Sequence, residues 1–276
     1  MQVLTRIDFG GLSVRLDPDV LLAAALEAGL TPASIVVAPL DVAAGAVAVE
    51  PGLALYPASM IKVPLVAAAL NDIASGHLPP LDSTVTVEPA NMTANDSASP
   101  MVPGYEPTLR ELMWFTIARS DNVATNVLFD LVGRERATQI ARDRLGLPDT
   151  AFYRKLSGSE PLINDPGWDG IHRNTHPAAD CAHLMRAIAE SAIPQAALLR
   201  EMLGAQEWNE KLSGGLLSWD RFLHKTGDTS EVTHDGGILI TGEGERFVIV
   251  VYTGLPSAPE NNARFAPFMR RIREQL

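Results

Sequence analysis

The sequence predicts an α+β fold: an antiparallel five-stranded sheet built from both ends of the chain, with an all-helical lobe inserted between them. Three observations predict it. Strand-like apolar runs occur near the N-terminus and again in the last third. The periodic segments between them have the helical repeat. The turn joining the last two strands is short, as antiparallel neighbours allow. The 276 residues suffice for one large domain or two intimate lobes, and 46% hydrophobic with 20% charged residues is a globular composition.

Taken in order, residues 18–29 have helical patterning. Ser34–Leu40 and Gly45–Glu50 are two strands joined by Asp41–Ala44. Pro39 implies an edge position or an early strand end. An apolar helix is entered through Ser59 and runs to Leu70. Pro64 is tolerated there because it lies near the first turn, where backbone N–H groups lack intrahelical partners. Residues 77–107, rich in Pro, Asn, Ser and Thr, form a long ordered loop. Thr108 with Glu111 makes a capping-box pattern before a helix whose apolar face is Leu109, Leu112, Met113, Phe115 and Ile117. Another helix begins near Val123, and one spans about Ala178–Ser191. Residues 154–176 lack periodicity, and a loop of that length inside a compact domain is usually functional. Phe222–Thr226, Gly237–Thr241 and Phe247–Thr253 are strands, with Gly242–Glu245 as a hairpin turn. Pro267–Leu276 closes as a helix. The expected division is an α/β lobe of residues 1–56 and 205–276, a helical lobe of residues 57–204, and an active site between them.

Composition removes several function classes. The formal net charge is −11, so phosphate backbones and anionic lipid repel the chain; neither nucleic acid nor membrane is an expected partner. Val20–Leu30 is too short to span a bilayer. Met1–Gly11 lacks a basic run followed by an apolar core, which predicts a cytoplasmic protein or one whose leader was removed. Cys181 stands alone, so no intrachain disulfide forms, and it reads as a small buried hydrophobe in a helix. The six histidines (77, 172, 176, 183, 224 and 234) form no zinc-protease pattern. No metal or organic cofactor is expected, and the partner is a small-molecule substrate of a monomeric protein.

Lysine is scarce. Among 22 basic residues it occurs only at 62, 155, 211 and 225. Arginine stays charged at any accessible pH, whereas lysine can be tuned to act as a base. Ser59-Met60-Ile61-Lys62 places a hydroxyl and an amine one helical turn apart. A desolvated lysine can take the serine proton, and a helix start stabilises developing negative charge. The plain alternative is a Ser N-cap with a solvent-facing lysine. Ser120-Asp121-Asn122 follows a helix and reads equally as a turn with an N-cap. Functionally, Ser120 would relay a proton and Asn122 would orient substrate or lysine. Lys225-Thr226-Gly227 ends a strand; its cation and hydroxyl suit a carboxylate, and the glycine leaves room for a ligand along the strand edge.

The ordered set S-x-x-K, S-D-N and K-T-G is the motif set of class A β-lactamases and penicillin-binding proteins. The chain resembles that family from about Ser34 to its C-terminus, including Thr108-Leu109-Arg110-Glu111-Leu112 and Ala124-Thr125-Asn126. The resemblance implies an α/β/α sandwich of the β-lactamase/transpeptidase type. It also implies a serine β-lactamase that hydrolyses its substrate through a Ser59 acyl-enzyme. Lys62, or Glu160 through water, would be the acylation base, and Ser120 would protonate the leaving nitrogen. The backbone N–H groups of Ser59 and Asp228 would form the oxyanion hole. Glu160 and Asn164, in Glu160-Pro161-Leu162-Ile163-Asn164, match the E-x-x-x-N pattern of the family's omega loop and would hold the deacylating water. Lys225, Thr226, Gly227, Asp228 and Thr229 would bind substrate.

Two departures stand out. Where the family pins its omega loop with an Arg–Asp pair, this chain has Gly158 and Arg173. Where many members place an Arg beyond K-T-G, it has Asp235, so the substrate carboxylate would rely on Lys225, Thr226 and Thr229 or recruit Arg221 or Lys211. The competing readings are a penicillin-binding relative acting as a D-peptidase or small esterase, and a non-catalytic ligand-binding descendant.

Overall fold

The computed structural model describes residues 4–7, 16–41, 45–158 and 162–276. Among these, six strands form one antiparallel sheet in the order β1-β3-β2-β6-β5-β4. The strands are β1 (Leu4–Ile7), β2 (Ala33–Pro39), β3 (Ala46–Val49), β4 (Arg221–Asp228), β5 (Thr233–Ile240) and β6 (Arg246–Thr253). The five expected strands are all present. The expected count is one short, because four residues are too few to display a period of two. β1 is a strand because β3 offers it an open edge, pairing Leu4 with Val49. Pro39 is not on an edge strand: β2 lies between β3 and β6, and Pro39 ends it opposite Phe247.

The sheet is covered on both faces, which is why its strands read as continuous apolar runs. Along β2, Ile35 and Val37 face α1 (Pro18–Ala28) and the C-terminal helix, while Val36 and Ala38 face the helical segment. Asp17 caps α1, accepting the Asp19 N–H at 2.7 Å, and Gly29 (φ +72) terminates it in the left-handed conformation. On the opposite face, α2 (Lys62–Ala74) is buried at every position from Lys62 to Leu70. A 3₁₀ turn, Ala58–Ile61, precedes it, so Ser59 lies on that turn and not on an α-helix. α3 (Leu109–Ala118), α4 (Asn122–Val132), α5 (Arg134–Asp143), α6 (Ala178–Ala189) and α7 (Ala196–Gly204) complete this side. Thr108 caps α3 through the Glu111 N–H (3.1 Å), but the Glu111 carboxylate accepts the Tyr105 hydroxyl (2.7 Å). α8 (Pro259–Asn262) and α9 (Phe265–Arg273) close the chain, the latter beginning two residues before the expected Pro267. α5 and α7 were not anticipated. α5 buries only Ala137, Ile140 and Ala141 in a highly charged sequence, and α7 starts without a side-chain cap.

Two buried histidines tie the fold to pH. His234 donates from Nε2 to the Tyr56 carbonyl (2.8 Å) and accepts the Thr253 N–H at Nδ1 (3.1 Å), which fixes a neutral ring. His176 lies 2.8 Å from Thr150 Oγ1, whose own proton goes to Asp180 (2.7 Å). Burial lowers His176 from 6.5 to about 3. Burial likewise lowers His234 to about 4, against the opposing Tyr56 hydrogen bond. Both rings are therefore neutral when folded and protonated when unfolded between their folded values and 6.5. The unfolded chain binds more protons in that window, so stability falls as pH falls through it, by on the order of 1.4 kcal/mol per pH unit for each ring. Urea denaturation at stepped pH should record this loss between about pH 6.5 and 4.5, before most carboxylates titrate. His176→Gln should remove about half of the slope; an unchanged slope would assign the acid sensitivity elsewhere.

Candidate active site

The site begins with Lys62. Its side chain is fully buried at the first turn of α2, and an ammonium there needs partners. Nζ donates to the Ser120 carbonyl (2.5 Å), reaches the Ser120 hydroxyl (3.1 Å) and donates to Asn122 Oδ1 (2.8 Å). Ser120 presents both of its oxygens because its backbone is left-handed, φ +56. Asp121 meanwhile caps α4, accepting the Ala124 N–H at 2.8 Å. The capping reading of Ser120-Asp121-Asn122 therefore falls to Asp121, while Ser120 and Asn122 contact Lys62.

Asn122 is locked. Its N–H donates to Asn95 Oδ1 (2.6 Å) and its side-chain amide to the Ala94 carbonyl (2.9 Å), which leaves Oδ1 facing the lysine. Burial, then repulsion from Lys225, holds the Lys62 pKa well below the ordinary lysine value, against Asp121 and Asp96. Burial lowers Lys225 to about 7, with Lys211 contributing and Asp228 opposing.

Lys225-Thr226-Gly227 lies on β4, the last strand of the sheet. Gly227 is required by the protein itself. A Cβ there would sit 3.0 Å from the Pro57 carbonyl and 3.3 Å from Ala58 Cβ, so the glycine admits the turn that carries Ser59. This contact stands beside the expectation that the glycine clears a ligand path. Ser59, Ser120, Thr226 and Asp228 line one cavity of about 200 Å³ together with Asp96, Trp208, Glu210, Ser257 and Asn262. A larger depression of about 690 Å³ beside Arg136 and Arg144 contains none of the motif residues, so chemistry rather than size selects the smaller one.

The sequence model described as "Beta-lactamase enzyme family" matches residues 21–275. The chain belongs to that family. It is 24% identical over 211 residues to the extended-spectrum β-lactamase PER-1 of Pseudomonas aeruginosa, covering 70% of this chain and 66% of that one. The chain spans about two thirds or less of the length of the curated relatives it matches. Its fold is similar to that of a β-lactamase from Sphaerobacter thermophilus (TM-score 0.79, 24% identity, 93% of this chain and 96% of that one). It is also similar to a PBP-A variant solved as an acyl-enzyme with penicillin G (TM-score 0.78, 24% identity, 93% and 95%).

Not every expected site residue of this family member gathers at the cavity. Thr229 is not among the residues lining the cavity; its hydroxyl accepts the Glu231 (3.1 Å) and Val232 (3.2 Å) N–H groups. Arg221 lies at the far end of β4. Asp235 is buried between His224 Nδ1 (2.7 Å) and the Leu212 N–H (3.0 Å). Lys211 is bound to Asp228. Asn164 is exposed and does not line the cavity, because its neighbour Asp165 is drawn inward instead. Glu160 lies outside the described residues. Sequence reasoning missed Asp96, Trp208, Glu210, Ser257 and Asn262 on the cavity wall, and Asn95 behind Asn122. They belong to no spaced motif, and only the fold assembles them.

The loop of residues 154–176 is pinned without the family's ion pair. Asp165 accepts Arg134 Nη2 (2.7 Å) and the Lys155 N–H (2.8 Å). Asn174 accepts the Tyr153 (2.7 Å) and Arg154 (3.0 Å) N–H groups and donates to the Arg154 carbonyl (2.9 Å). Arg173 pairs with Glu231 (2.8 Å) and lies 3.9 Å over the Tyr56 ring. Gly158 is more constrained than Gly227: a Cβ would fall 1.9 Å from the Ala94 carbonyl oxygen. Gly158→Ala must push that segment away and should cost about 1–3 kcal/mol. The expected result is a lower melting temperature with faster proteolysis within 154–176. Wild-type behaviour in both assays would mean that the Ala94 contact is dispensable.

Proposed function

We propose that this chain is a serine β-lactamase that opens the lactam amide through a covalent Ser59 acyl-enzyme. The observation that carries the reading is Lys62, buried and caged by Ser120 and Asn122 beside Ser59. The Ser120 carbonyl and Asn122 Oδ1 can only accept, so they claim two N–H bonds of a neutral amine. The remaining lone pair then meets the Ser120 hydroxyl, which turns its proton toward the lysine. This makes Lys62 and Ser120 a single proton path.

In the proposed cycle, Ser59 Oγ attacks the carbonyl carbon while its proton passes to Lys62, or to Glu160 through water. The backbone N–H groups of Ser59 and Asp228 take the oxyanion, an interaction of about 2.7–4 kcal/mol per donor where it has been measured. The C–N bond breaks as Ser120 gives its proton to the nitrogen, and Lys62 restores it. Water, activated by Glu160, then hydrolyses the ester and returns Ser59. Lys225 and Thr226 flank the substrate. The cavity would divide an α/β lobe (1–56, 205–276) from a helical lobe (57–204), in a monomer with no partner but its substrate.

A second reading, a penicillin-binding D-peptidase or small esterase, is favoured by the exposure of Asn164, which leaves the deacylating water with less support. Time-resolved mass spectrometry with benzylpenicillin separates the two. A β-lactamase turns the drug over rapidly, whereas the penicillin-binding relative accumulates a stable adduct on Ser59. Ser59→Ala should show neither, and adduct formation in that variant would refute the nucleophile. Glu160→Ala should convert turnover into a trapped acyl-enzyme; unimpaired turnover would remove Glu160 from the mechanism.

A further inference from the structure

The wall of the Ser59 cavity contains an anion-binding cradle that is already filled. Asp228 ends β4, and its side chain lines that cavity. Its carboxylate takes Lys211 Nζ on both oxygens (2.7 and 2.8 Å) and the Ser257 hydroxyl (2.6 Å), and the Thr233 hydroxyl divides its one proton between Asp228 (3.1 Å) and Asn262 Oδ1 (2.8 Å). That is close to the full accepting capacity of a carboxylate. Lys211 is equally committed. It is fully buried, and its third proton goes to the His234 carbonyl (3.0 Å). It has no donor left for an incoming group.

We infer that Asp228 occupies, with the chain's own carboxylate, the place where this cavity would otherwise hold a substrate anion. The site therefore favours acyl substrates that are neutral or cationic beside the reacting carbonyl over those carrying a carboxylate there. This rests on the acyl-transfer reading of Ser59. The rest of the wall agrees with it: Asp96 and Glu210 add two more carboxylates to the same small space. A second carboxylate entering beside Asp228 would meet like charge in a partly desolvated pocket and find Lys211 taken, with Lys225 and Thr226 left as its partners. Lys211, a candidate for substrate-carboxylate binding by sequence, is thereby turned into the partner of an internal anion. Asp228 is a specificity-determining residue through its side chain, separately from any role of its backbone N–H.

The test removes the internal anion and reads carboxylate recognition in two ways. The first is acetate binding to the free protein, followed by NMR titration in wild type, Asp228→Ala, Asp228→Asn and the double variant Lys211→Ala/Asp228→Ala. Acetate should bind Asp228→Ala at least about tenfold more tightly than wild type, since it regains charge-assisted bonds to Lys211. The double variant should lose that gain. Asp228→Asn keeps the shape of the side chain and guards against a folding defect; it should gain less. The second readout is the ratio of kcat/KM for benzylpenicillin to that for its methyl ester. The ratio should rise about tenfold in Asp228→Ala. No gain in acetate binding, or a gain that survives loss of Lys211, overturns the filled cradle. An unchanged acid-to-ester ratio overturns the specificity role. If wild type acylates with neither compound, the functional reading fails, while the acetate titration still decides the cradle.

Discussion

The site depends on one constraint: a lysine amine is buried completely at the start of α2, and everything within reach must satisfy it. Burying an ammonium costs several kcal/mol, roughly, unless hydrogen bonds replace its water. The replacements come from one short segment, Ser120 and Asn122, and reach Lys62 only because Ser120 adopts a left-handed backbone. That conformation costs of order 1–3 kcal/mol for a residue other than glycine. It persists because Asp121 anchors α4 on one side and Asn95 holds Asn122 on the other. The long loop before α3 is therefore part of the site although it contributes no motif.

A second constraint is the closeness of the Ser59 turn to the sheet edge. Gly227 touches Pro57 and Ala58, so Ser59 and β4 approach as closely as backbones permit. Gly158 does the same for the 154–176 loop against Ala94, and Ala94 is also the residue whose carbonyl takes the Asn122 amide. Loop, lysine cage and Ser59 turn are thus joined through a few backbone contacts. Replacing the family's Arg–Asp pin with Asp165 and Asn174 keeps the loop attached at both ends by side-chain to backbone bonds. Such bonds require particular atoms and no particular spacing, which explains why the anchoring could not be foreseen.

The legible parts of the sequence were those with a fixed local spacing. The five main strands, the Thr108 cap and the three motifs each occupy a few consecutive residues, and the fold brings Ser59, Lys62, Ser120 and the β4 segment together. What was hidden depends on distant pairing. β1 is a strand only because β3 has an open edge. α5 is helical despite a charged sequence because Ala137, Ile140 and Ala141 find a core to enter. Lys211 and Asp228 are 17 positions apart with nothing between them to suggest an ion pair.

The scarcity of lysine carries further than the motifs suggested. All four lysines are buried: 62, 211 and 225 completely, and 155 to 6% exposure, where it pairs with Asp130 at 2.6 Å. Among the described residues, then, the exposed cations are arginines. The physical division is plain. Guanidinium suits surface forks with carboxylates, such as Arg246 with Asp41, whereas a compact ammonium can be enclosed and its proton affinity set by its surroundings. Three of these enclosed amines lie behind the wall of one cavity, each bonded to a different lining residue: Lys62 to Ser120, Lys211 to Asp228 and Lys225 to Thr226. Lys211 has a carboxylate of its own, Asp228. Lys225 has only a backbone carbonyl, at 2.9 Å, and titrates near neutrality, at about 7. Lys62 has one backbone carbonyl and one side-chain amide oxygen that accept, and one hydroxyl that can also give. The same residue type is thereby placed in three different surroundings, and the difference is made by the neighbours each amine is given.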